Sequence, residues 1–213
     1  AKQGRASTNT YAEKVKLLFE KDAEITNYYH QTLANGKWNH MMAQTHIGYK
    51  IWQEPKENAI PETKTITLEK NSDFGIAVEG SEKWWTNASD DAILPTFSSY
   101  ENNTYYFDIF NRSTQPFNFN ITSKSNWIVF SKTKGTVDKQ QRITVTINWQ
   151  KAPKGTQKTS FIVTANSKTI PVFVQTNQVD LKDAKGFVET NGYIAIDAAN
   201  FSNKTEPENF TWQ

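Results

Sequence analysis

The chain contains no cysteine. That excludes a disulfide framework, a cysteine zinc site, an iron–sulfur cluster and a thiol nucleophile. No run of 18 apolar residues occurs, so no segment reads as a membrane-spanning helix. Charge of one sign is also lacking. The 24 Lys and Arg are balanced by 22 Asp and Glu, and the two signs are interspersed. This excludes a basic stripe for nucleic acid and a polybasic patch for a membrane surface. Apolar residues are scarce at 37%, but aromatics make up 13%, which argues against disorder. The chain opens Ala1-Lys2-Gln3-Gly4 with neither an initiator Met nor a signal peptide, and it reads as a piece of something longer.

What is present changes character near residue 60. Tyr11, Val15, Leu18, Asp22, Ile25, Tyr29 and Leu33 recur at spacings of three and four and predict one helix over about 8–34. Ser7, Thr8 and Asn9 are cap candidates, and Asn35-Gly36 is the stop signal. An isolated amphipathic helix of this length needs other helices on its stripe, so the pattern predicts part of a helix bundle whose other members lie upstream. The segment from Lys37 to Tyr49 is dense in aromatics, His and Met and reads as a short second helix or a knotted loop. Glu54-Pro55 and Ile60-Pro61 end helical structure.

From residue 64 the period becomes two. Thr65, Thr67 and Glu69 alternate with Ile66 and Leu68. Runs at 105–109, 117–121, 127–130, 143–149, 161–165 and 170–174 are short and β-rich, with turn residues between them. They predict an immunoglobulin-like antiparallel β-sandwich. The resulting fold class is α+β and multi-module. A helical bundle segment occupies 1–60, a sandwich 61–178, and the start of a C-terminal β-module 179–213.

No constellation establishes catalysis. His40 and His46 are six apart, roughly 240° around a helix, so they do not form a same-face metal pair. They read as packing histidines or as parts of a polar ligand pocket. Trp84-Trp85 read as strand neighbours, so one ring is core and the other is either covered by a neighbouring domain or available to stack on a sugar. Asp90-Asp91 lie in a polar stretch that reads as a solvated turn, not as a raised-pKa pair.

One resemblance goes further. The segment Gly36-Lys37-Trp38-Asn39-His40-Met41-Met42-Ala43-Gln44-Thr45-His46-Ile47-Gly48-Tyr49, followed by Trp52-Gln53-Glu54-Pro55, resembles the helical region near the C-terminal end of glycoside hydrolase family 115, α-glucuronidases acting on xylan. Val78-Glu79-Gly80-Ser81-Glu82-Lys83-Trp84-Trp85 and Leu94-Pro95-Thr96-Phe97 resemble that family's next module, and Phe187 to Phe201 its last, a carbohydrate-module-like sandwich. Ala199 departs from the last module's pattern by removing an expected carboxylate. The stretch Asn126-Trp127-Ile128-Val129-Phe130-Ser131 resembles immunoglobulin-like modules of Bacteroidetes carbohydrate enzymes.

The resemblance implies a non-catalytic accessory part of an inverting enzyme whose catalytic barrel lies upstream, with the chain alone inactive. It implies no cofactor and no metal, and a periplasmic or extracellular location. Its partners would be the barrel and glucuronoxylan or its oligosaccharides, with a homodimer as a further partner. Trp38, His40, His46, Tyr49 and Trp85 are the candidate substrate contacts. The alternatives are a stand-alone carbohydrate-binding module and a structural or oligomerisation element.

Overall fold

The computed structural model describes residues 1–71, 73–180, 182, 186–189, 192–201, 203 and 205. Among these residues, ten strands follow one long helix. They are β1 (Phe74–Val78), β2 (Ala92–Ile93), β3 (Phe97–Ser98), β4 (Tyr105–Asn111), β5 (Phe117–Ser123), β6 (Ile128–Phe130), β7 (Lys134–Val137), β8 (Gln140–Ile147), β9 (Gly155–Ala165) and β10 (Lys168–Gln178). They form two sheets, in the orders β1-β4-β8-β6 and β2-β10-β9-β5-β7. Pairing is antiparallel except at β2 and β3, which both run parallel to β10. The sandwich predicted from the period-two pattern is therefore present, with a locally mixed edge.

Alternation makes the core. In β5 the side chains of Phe117, Phe119 and Ile121 are buried while Asn118 and Asn120 face water. In β8 Ile143, Val145 and Ile147 point inward, and in β10 Ile170, Val172 and Val174 do so. The sheets meet through aromatic contacts, with Phe161 5.2 Å from Phe107 and 4.8 Å edge-on from Phe130. β1 is buried along its whole length and carries no polar alternation, so the periodicity did not mark it. Thr65 to Glu69, expected as a strand, forms only a bridge from Glu69 to Ser113. There the Asn9 side chain occupies both Ile66 backbone groups, at 2.9 Å each.

Both faces of β1 are covered because the N-terminal segment lies over the outer face of its sheet. The register sets Asp108 on β4 opposite Arg142 on β8. Arg142 donates to the Asp108 carboxylate through Nε and Nη2 at 2.9 and 3.2 Å, and Arg5 adds Nη1 at 3.0 Å. Burial pushes the Asp108 carboxyl up, but the two guanidinium groups outweigh it and hold the carboxyl below the ordinary aspartate value. Arg5 also sits 4.5 Å over the Phe110 ring, Arg142 3.6 Å over Tyr106, and Arg112 4.0 Å over Trp84. Arg112 pairs with Asp73 as well. Gly75 lies under this layer, where a Cβ would run into the Phe110 ring and approach the Trp84 ring to 2.9 Å.

The helix α1 (Ser7–Asn27) starts from that joint. The predicted caps have other uses. Its N-cap is Ala6, without a side-chain bond, while Ser7 Oγ donates to Gln140 at 2.9 Å. A cavity of about 650 Å³ lies between the first turns of α1, the strap at 62–64 and the sheet. Polar groups of its lining are engaged with one another, as Gln140 accepts from Ser7 and donates to Tyr11, and Arg5 and Arg142 share Asp108.

After β10, among the described residues, Ala198–Asn200 forms one 3-10 turn capped by Asp197, and Phe187, Tyr193, Ile194, Ile196 and Phe201 are exposed. Asp183, Lys185, Thr190 and Asn191 of the expected last module lie outside the described residues.

Gly75→Ala is expected to destabilise the sandwich by about 1–3 kcal/mol, because the new methyl overfills a packed layer. Asp108→Ala should cost about 1–3 kcal/mol through the lost charge-assisted bonds. The pH dependence has a definite sign. Asp108 is depressed in the folded chain, so its contribution is complete above the unfolded value of about 3.9 and is lost as pH falls through the lower folded value. Urea melts of both variants, and an acid titration of the parent against Asp108→Asn, measure these effects.

Candidate functional site

Beyond the joint, α1 and the segment after it form an arm. The helix ends at Asn27 and continues as one π-helical turn (Tyr28–Thr32) and one 3-10 turn (Leu33–Gly36). Asn35 and Gly36 act as the stop, with φ of +54° and +78°. Ala34 shares the left-handed conformation at φ +49°, without the short polar side chain that eases it. Among the described residues between Gly36 and β1 the chain makes turns and bends and no second helix. The segment instead lies along α1.

Few interactions hold the segment. Met42 N–H donates to His30 Nε2 at 3.2 Å, and Gln31 donates to Asn39 at 3.3 Å. Thr45 N–H donates to Glu54, and the N–H groups of His46 and Ile47 both donate to Asn58. His46 Nε2 lies 3.0 and 2.9 Å from the two Asp22 oxygens. The hydrogen bond to Asp22, with a second to the Gln44 carbonyl, holds the His46 imidazolium above the ordinary histidine value. Asp22 is the one polar position in the sequence stripe, and that oddity was the available signal for this contact.

The half-buried face of α1 runs through Ala12, Val15, Phe19, Asp22, Thr26 and Tyr29. This is a rotated version of the predicted stripe, and it leaves Tyr11, Leu18 and Ile25 exposed with Leu17 and Tyr28. The segment adds Met41 (68% exposed), Ile51 (70%) and Trp52 (94%). The arm thus presents a concentration of large apolar side chains beside a sandwich whose own core is complete.

Four of the five candidate contacts lie on the arm. Trp38 is at the margin of exposure, with the Lys37 ammonium 4.9 Å over its ring. His40 has φ +65° and its ring centroid is 6.5 Å from that of His30. His46 is clasped to Asp22, and Tyr49 is exposed with its hydroxyl donating to Thr45 O at 3.1 Å. Trp85 sits apart from them. It is 6% exposed in the sandwich core, and its indole N–H donates to Asp90 O. Trp84 is its more exposed neighbour, covered by Arg112. Asp90 pairs with Lys83 at 2.6 Å, which holds its carboxyl below the ordinary value. Among the described residues no group of three or more His, Asp or Glu is placed to hold a metal ion. Among them, too, no helix is long and apolar enough to cross a membrane.

Residues 90–177 match a family model described as the viral BACON domain. The match begins after β1 and ends within β10, so it covers most of the sandwich and none of the arm. No curated protein matches the chain. Among solved structures, the chain is similar to a Bacteroides ovatus xyloglucanase of glycoside hydrolase family 5, at 14% identity and a TM-score of 0.34, over 53% of this chain and 21% of that one. It thus spans about a fifth of that enzyme's length. It is also similar to the PapD-like domain 7 of human CEP192, at 12% identity and TM-score 0.37, over 59% and 99%. The periplasmic chaperone SfaE matches at 9% identity and TM-score 0.37, over 51% and 59%. The sandwich is immunoglobulin-like and similar to the BACON domain, and nothing among these matches ties the chain to α-glucuronidases.

Ala34→Gly is expected to stabilise the turn that ends the helix by about 1 kcal/mol, because glycine adopts positive φ without the Cβ clash. Hydrogen exchange of the amides from Tyr28 to Asn39 measures the gain.

Proposed function

We propose that the chain is a non-catalytic accessory module whose sandwich is a rigid base and whose arm is a protein-interaction surface. The observation that carries this reading is the exposure of Leu17, Leu18, Ile25, Met41, Ile51 and Trp52 on one arm. Large apolar groups concentrated in this way favour association over solvation. The similarity of residues 90–177 to the viral BACON domain supports an accessory role for the sandwich. The division into an arm at 1–60, a sandwich at 61–178 and a further module from 179 belongs to this proposal.

A narrower version makes the chain the accessory C-terminal part of a family 115 α-glucuronidase, exported from the cytoplasm, with the barrel and glucuronoxylan as partners. It rests on the sequence resemblance in residues 36–49 and 78–97 alone. In that version Trp38, His40, His46 and Tyr49 border the sugar, whereas Trp85 contributes through the core.

Two measurements on the whole chain test the proposal. In sedimentation equilibrium the chain should associate with rising concentration. Leu18→Ser and Trp52→Ser should weaken that association while changing stability by no more than about 0.5 kcal/mol, as expected for exposed sites. A strictly monomeric chain counts against the reading. In affinity electrophoresis, retardation by glucuronoxylan that is lost in Trp38→Ala or Trp52→Ala would move the assignment to a carbohydrate-binding module. Turnover of glucuronoxylan oligosaccharides at enzyme-like rates would remove the accessory reading.

A further inference from the structure

The arm segment is attached to α1 by two histidines in opposite chemical situations. His46 has an acceptor at each ring nitrogen. Asp22 lies 2.9 Å from Nε2, and the Gln44 carbonyl lies 3.3 Å from Nδ1. A neutral imidazole carries one N–H and can donate to only one of them, whereas the imidazolium donates to both. His30 is the reverse. Its Nε2 accepts the Met42 N–H at 3.2 Å, which requires that nitrogen to be unprotonated. A proton on His30 turns this bond into a clash of two donors. The two anchors stand at Asp22 in α1 and at His30 in the π-helical turn that follows it.

The charged surroundings leave these preferences intact. Asp22 of α1 is the charged group that bears on His46. Elsewhere on the helix, Lys21 pairs with Glu24 and Lys16 with Glu20. In the segment, Glu54 accepts from Thr45 N–H, and Lys37 sits over Trp38. His30 has the Tyr29 ring at 6.1 Å and the His40 ring at 6.5 Å.

We infer that the segment following α1 is a proton-operated latch, in which acid tightens the His46–Asp22 anchor and releases the His30–Met42 anchor, so that the segment pivots on the helix. The sign follows from the two geometries. The His46 value is raised in the folded chain, so its anchoring is complete below the unfolded value of about 6.5 and is lost as pH rises through the higher folded value. The Met42 N–H is accepted by His30 Nε2, which a protonated nitrogen cannot do. Met41 and Met42 lie next to the anchor that acid releases. On the interaction reading above, and resting on it, binding by the arm is therefore pH-dependent.

The test is an NMR titration of the whole chain between about pH 5 and 8, the range in which histidine changes charge. In the parent, the His46 ring signals should titrate with a midpoint above the ordinary value, and Asp22→Asn should bring that midpoint down. The Met42 amide should follow the His30 ring in the parent and stay fixed in His30→Gln, whose carbonyl accepts at every pH. Strand amides of the sandwich should stay unmoved throughout, which shows that the variants fold. An unchanged His46 midpoint in Asp22→Asn, or a Met42 amide insensitive to pH in the parent, overturns the latch. The titration is independent of association. A monomeric chain with these shifts removes the partner reading and keeps the latch, and an associating chain without them does the reverse.

Discussion

The geometry of the molecule depends on one buried carboxylate. Asp108 sits on the outer face of a sheet, a position that alternation normally gives to solvent, yet the residue is 4% exposed. It is tolerable there because Arg142 across the strand pair and Arg5 from the N-terminal segment donate three hydrogen bonds to it. Those bonds serve a topological purpose. They fix the N-terminal segment on the sheet, and with it the point from which α1 leaves. Ala6 N–H donating to Asn111 O at 2.7 Å continues the same attachment through the backbone. Ser7 Oγ donating to Gln140 and Lys139 Nζ donating to Thr10 fix the first turns of α1 alongside it.

That arrangement explains why the two halves of the chain differ in character. The sandwich is secured by area. Phe107, Phe161, Ile143 and Val163 are fully buried, and such groups contribute roughly 1.5–3 kcal/mol each. The arm is secured by a few directed contacts, among them Asn9 to Ile66, His46 to Asp22 and His30 to Met42. Directed polar contacts with half-exposed partners add little stability, but they respond to protons and to substitution. Low local stability and exposed apolar side chains belong together at a surface that rearranges on contact.

Much of this was legible in the sequence. Alternation located β5, β8, β9 and β10 because each has one wet face, and the spacing of three and four located α1. β1 was not legible because both its faces are covered, one by the opposite sheet and the other by Trp84 and the N-terminal segment. β2 and β3 were not legible because two residues carry no period. The stripe on α1 was located one step off. Its periodicity was real, but the half-buried face runs through Phe19 and Thr26 and leaves Leu18 and Ile25 exposed. Of the candidate site, the dense segment after Gly36 was visible, and four of its marked residues do lie on one arm. The Asp108 pairing was not visible, because it joins residues 103 positions apart.

The displaced stripe carries a consequence for how the arm works. A helix whose apolar face exactly matched its cover would be locked, since moving the cover would expose that whole face at once. Here Leu18 and Ile25 are already in water while Val15 and Phe19 are only half covered. The segment is attached to the helix by polar anchors, of which His46 is best served by the imidazolium and His30 accepts through an unprotonated nitrogen. The rigid attachment at Asp108, whose carboxyl stays ionised well below the histidine range, keeps the base of the arm fixed while its outer part moves.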